Sequence, residues 1–62
     1  MYEDVKISAK NGIAHIKFVF EEDESVIRGF LGLAEYFHTV IIKEKDRFFI
    51  PHGNMLFMLE SA

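Results

Sequence analysis

Asn11-Gly12, set between two runs of alternating side chains, restricts this chain more than any other feature. Both residues tolerate the positive φ of a type I′ turn, which makes the dipeptide a strong short-range hairpin signal. Folding about it pairs Lys10 with Ile13, Ala9 with Ala14, Ile7 with Ile16 and Val5 with Phe18. Val5, Ile7, Ala9, Ala14, Ile16 and Phe18 then share one face, while Lys6, Ser8, His15 and Lys17 share the other. A slip of one residue would invert both strands, so the register is strongly specified. It also sets Lys6 opposite Lys17, a like-charge pair that costs roughly a few tenths of a kcal/mol.

An acidic run, Glu21-Glu22-Asp23-Glu24, precedes a helix predicted over Ser25–His38. At about 100° per residue, Val26, Ile27, Phe30, Leu33, Ala34 and Phe37 gather in an arc of about 120°. Ser25, Arg28, Gly32 and Glu35 lie opposite. Asp23 or Ser25 can cap the helix, and the acidic run complements the positive end of its dipole. Gly29 and Gly32 each weaken it by about 1 kcal/mol relative to Ala.

A second hairpin is expected from Thr39–Glu44 and Arg47–Ile50, turning at Lys45-Asp46 so that Glu44 faces Arg47. Val40, Ile42 and Phe49 fall on one side, Ile41, Phe48 and Ile50 on the other. Both sides are apolar and both read as covered, one of them by the helix. Pro51-His52-Gly53-Asn54 reads as a type I turn with Pro in second position. Met55-Leu56-Phe57-Met58-Leu59 is then an unbroken apolar run, preferred as a strand pairing back onto Phe48–Ile50. A short docking helix is the alternative, because Met and Leu favour helix. As a strand it presents apolar groups on both faces and an open edge, and such a segment aggregates unless covered.

The expected fold is therefore a single α+β domain over 1–62, ordered β-β-α-β-β-(β). Its sheet is mostly antiparallel, with one amphipathic helix on one face. In element order alone, two hairpins about a helix resemble bacterial immunoglobulin-binding domains and other small β-grasp modules; no residues match, so nothing functional follows.

Size turns this pattern into an expectation about partners. A chain of 62 residues holds one core and buries only about 60% of its unfolded surface. It has no cysteines, which removes disulfides and thiolate zinc sites as supports. Half of it is hydrophobic and 15% aromatic, more than so small a core absorbs, and large exposed apolar patches mark interaction sites. The surplus falls on Ile41, Phe48, Ile50, Met55, Phe57 and Leu59, which are expected to form an interface with a second copy or another protein.

Candidate chemistry is sparse. His15, His38 and His52 come from separate elements with no second ligand at metal spacing. The acidic run lacks the ligand alternation and glycine of a calcium loop and reads as a solvated helix start. Ser8 opposite His15 begins a triad without an orienting carboxylate or oxyanion donors. Gly29-Phe30-Leu31-Gly32 is apolar where a phosphate clamp carries basic residues. Lys43, Lys45 and Arg47 are interleaved with Glu44 and Asp46, and the net charge is −3, so nucleic acid is not an expected partner. No run approaches the roughly 18 apolar residues of a membrane span. Glu3, Asp4 and Lys6 stand where a secretory signal needs an apolar stretch, so the cytoplasm is expected. No cofactor or metal is expected. The residues point to a non-enzymatic interaction or regulatory protein, a homo-oligomer working by protein–protein contact. The alternative is a small-molecule-binding regulatory module with its pocket between subunits, and a pocket lined by Ser8, His15 and Lys17 would favour it.

Overall fold

Strands β1 (Tyr2–Lys10) and β2 (Ile13–Phe20) turn on Asn11 and Gly12, whose φ angles of 54° and 77° are those a type I′ turn demands. The computed structural model describes residues 2–21 and 23–61, and of residues 2–4 the backbone only. Glu22 of the acidic run thus lies outside the described residues. The hairpin register is the expected one, with Val5 opposite Phe18, Ile7 opposite Ile16, Ala9 opposite Ala14 and Lys6 opposite Lys17. An irregularity between Tyr2 and Asp4 shifts the start of β1.

Helix α1 (Glu24–Tyr36) starts one residue before the predicted span and ends two residues short of it, with a cap at each end. The Asp23 carboxylate accepts from the Ser25 amide and the Ser25 hydroxyl, each at 2.8 Å. At the other end the Thr39 amide donates to the Ala34 carbonyl (2.9 Å) and the His38 amide to that of Glu35 (3.2 Å). With His38 at a φ of 53°, this is a Schellman motif, which normally places glycine at that position. The left-handed residue ends the helix before His38.

Three strands follow, β3 (Ile42–Glu44), β4 (Arg47–His52) and β5 (Met55–Ser61). The β3–β4 turn holds Lys45 at a φ of 57°. Pro51 and His52 belong to β4, and the turn expected to start at Pro51 is confined to Gly53-Asn54, with Gly53 at a φ of 58°. His52 and Met55 close that turn. By antiparallel alternation, Pro51 therefore directs its imide nitrogen and its carbonyl toward the β3 side. β3 ends its pairing at Ile42–Phe49, so proline deprives no neighbouring strand of a donor there. The Thr39 hydroxyl supplies the missing donor to the Pro51 carbonyl at 2.8 Å.

The sheet order is β1-β2-β5-β4-β3, antiparallel except for the parallel pair β2–β5. Residues 55–59 form a strand, as preferred, with Leu59 opposite Phe48 and Phe57 opposite Ile50. The expected open edge on this strand is absent: β5 lies between β2 and β4, and the sheet's edges are β1 and β3. An unbroken apolar run is the mark of a strand enclosed in this way.

The helix packs on the face carrying Phe18, Phe20, Phe48, Ile50, Phe57 and Leu59. Phe20, Phe30, Ala34, Ile50 and Leu59 form the buried core, and Phe18 meets Phe30 edge-on at 6.0 Å. Phe37 stacks between Phe57 (5.7 Å) and His52 (4.2 Å, 14° between planes). No helix among the described residues is long and apolar enough to cross a membrane.

Candidate functional site: the open sheet face and its edges

Alternation along each strand gives the sheet a second face, and the pairing register identifies what it carries. Lys17, Met58, Phe49 and Ile42 stand in one row across β2, β5, β4 and β3. His15, Leu56 and Pro51 form the next row, and Val19, Glu60, Arg47 and Glu44 the one on the other side. No helix lies over these side chains, since α1 takes the opposite face. Phe49, Leu56, Met58, Pro51 and Val19 cover one another to half-burial, and Ile42 is 48% exposed.

Charge frames this apolar centre. Lys17 bonds Glu60 at 2.7 Å across the parallel β2–β5 pair. Arg47 reaches Glu44 at 3.9 Å and stands 5.7 Å from the centre of the Phe49 ring. The β1 flank contributes Lys6 and Ser8. An apolar centre bordered by ion pairs is the layout of a contact surface.

The six residues expected at an interface are placed differently by the fold. Phe48, Ile50, Met55, Phe57 and Leu59 share the face that α1 covers, and Ile50 and Leu59 have no accessible surface. Their missing cover is this chain's own helix. Ile41 alone is exposed (44%), beside Val40 and Ile42 at the β3 edge. Alternation separates Phe48 and Ile50 from Phe49 but does not say which set the helix takes. The matching row on β2, with Phe18 and Phe20, decides it. Sequence reasoning missed Phe49, Leu56 and Met58 as the uncovered set, although their period of two was visible.

The other candidates separate. Ser8 and His15 are opposite one another, as expected. His38 is at the helix C-terminus, and His52 lies in β4 against Phe37 rather than in a turn. Among the described residues no group of His, Asp and Glu converges to hold a metal ion. The Ser25 hydroxyl and amide hold the Asp23 carboxyl below the ordinary value of 3.8, as its capping role requires.

A shallow cavity of about 480 Å³ lies away from Ser8, His15 and Lys17. Phe20, Ile27 and Phe48 supply its apolar lining, and Lys43, Lys45 and Asp46 its charged rim. Lys43 is also set against the Phe48 ring at 5.7 Å. The edges differ in kind. β3 is three residues long, which limits pairing with another chain. β1 runs for nine residues, with Val5 48% and Ile7 75% exposed beyond the reach of α1. No family model, curated protein or solved structure matches the chain.

Proposed function

We propose that this chain is a small non-enzymatic interaction or regulatory protein of the cytoplasm, working as a homo-oligomer by protein–protein contact. The observation that carries the reading is the uncovered sheet face centred on Phe49, Leu56 and Met58. A strand pair that is apolar on both sides is ordinarily covered on both, and here one side has no layer over it. The exposed Ile42 extends the same surface to the β3 edge. Lys17, Glu60, Arg47 and Glu44 form a polar rim around it.

The test is the concentration dependence of the amide and methyl chemical shifts. Contact through this face shifts the signals of Val19, Phe49, Leu56 and Met58 on concentration, and leaves those of Gly29 and Gly32 on the outer side of the helix unchanged. Shifts independent of concentration across all these residues would overturn the reading.

A further inference from the structure

We infer that the outer edge of β1 pairs antiparallel with the same edge of a second copy, about a two-fold axis at Ile7, joining two five-stranded sheets into one. This goes beyond the contact reading above, because the open face can bind whether or not this edge pairs.

The backbone defines what the edge offers. Lys10 and Ile13 flank the two-residue turn and exchange both hydrogen bonds. By alternation Lys10, Ser8 and Lys6 address β2, and Ala9, Ile7 and Val5 turn their N–H and C=O groups outward. No proline interrupts β1, and its one irregularity lies before Val5. Such an edge is a template for another strand.

Side-chain type selects the partner and the register. Outward-facing positions must meet outward-facing positions, which leaves five registers, centred on Val5, Lys6, Ile7, Ser8 or Ala9. Centring on Lys6 sets Lys6 against its own copy, and centring on Ser8 sets Lys6 against the partner's Lys10; like charges directly opposite are destabilising. Centring on Val5 or on Ala9 keeps only three positions of the regular strand paired. Centring on Ile7 sets Ile7 against the partner's Ile7, Val5 against the partner's Ala9 and Lys6 against the partner's Ser8. Each of these positions then meets a compatible one, and the unlike pairs occur twice by symmetry. The same pairing lays Ile7 against its equivalent and Val5 against the partner's Ala9, covering two side chains exposed on the helix side in the single chain. A self-complementary edge of this kind fits a second copy of this chain.

The test uses the full chain in the Met58→Asp background, which disables the open face and isolates the edge. Mass is read by sedimentation and folding by circular dichroism. Twice the chain mass of 7.2 kDa is expected. Ser8→Lys should raise the apparent dissociation constant about tenfold, since it sets a lysine opposite the partner's Lys6 in both symmetric pairs, and Ser8→Asp should lower it. Misfolding would not give opposite responses to opposite charges at one position. Register is read by single cysteines in a chain that has none. Ile7→Cys should oxidise to a covalent dimer, because hydrogen-bonded cross-strand positions about 5.5 Å apart lie within disulfide reach. Val5→Cys should not. A Met58→Asp chain that stays at 7.2 kDa overturns the edge pairing. So does a dimer indifferent to both substitutions at Ser8, or one that cross-links at position 5 rather than 7. A shift-monitored open face in a chain with no Ile7→Cys cross-link would retain the contact reading and reject this one.

Discussion

Lys17 and Glu60 join β2 to β5 through a 2.7 Å ion pair on the open face, at the position where Lys17 also faces Lys6. The like-charge pair that looks like a defect of the isolated hairpin thus has a counter-charge two strands over. Both side chains are about one-third exposed. A double-mutant cycle with Lys17→Met and Glu60→Gln should give a coupling of about 0.2–1 kcal/mol that shrinks at 1 M salt. A coupling near zero at low salt would show that the pair does not help to hold β5 beside β2.

His38 occupies the left-handed position of the helix C-cap, where a side chain costs about 1–2 kcal/mol in backbone strain. His38→Gly removes that strain and adds some unfolded-state entropy. The net expectation is a gain of about 0.5–1 kcal/mol, read by urea denaturation. A loss of stability would mean that the imidazole contributes more than its backbone costs.

Asp23 caps the helix only as a carboxylate, and the Ser25 hydrogen bonds lower its pKa in the folded state. The stabilisation is thus present above the unfolded-state value of about 3.9 and is lost as pH falls through the lower folded-state value. Asp23→Ala should melt below the wild type at pH 7, and the gap should narrow toward pH 2. A gap independent of pH would exclude the carboxylate as its source.

Neighbouring residues on β5 should respond oppositely to the same substitution. Phe57 faces the helix and stacks on Phe37, so Phe57→Asp places an unpaired charge in the core at several kcal/mol, comparable to the whole stability of a domain this size. Met58 stands on the open face opposite Lys17, so Met58→Asp should retain native circular dichroism. A folded Phe57→Asp or an unfolded Met58→Asp would reverse the assignment of faces.

Legibility followed the range of each interaction. The first hairpin was fully readable, because Asn11-Gly12 fixes a turn and the flanking alternation tolerates a single register. The Asp23 cap was readable for the same local reason. The parallel pairing of β2 with β5 was not, since Ala14 and Met55 meet across most of the chain with no turn to announce them. Its signature, an apolar run without alternation at 55–59, was visible but compatible with an exposed edge. The interface set Ile41, Phe48, Ile50, Met55, Phe57 and Leu59 followed from that ambiguity. A period of two separates Phe57 from Met58, and only the position of α1 decides which of them meets solvent.

The most direct test of the account is the sedimentation mass of the wild type and Met58→Asp over a range of concentrations. A contact surface on the open face predicts a wild-type mass above 7.2 kDa that rises with concentration, and a lower mass for Met58→Asp with its fold intact. A wild type that stays at 7.2 kDa at every concentration, with Met58→Asp indistinguishable from it, would contradict the account.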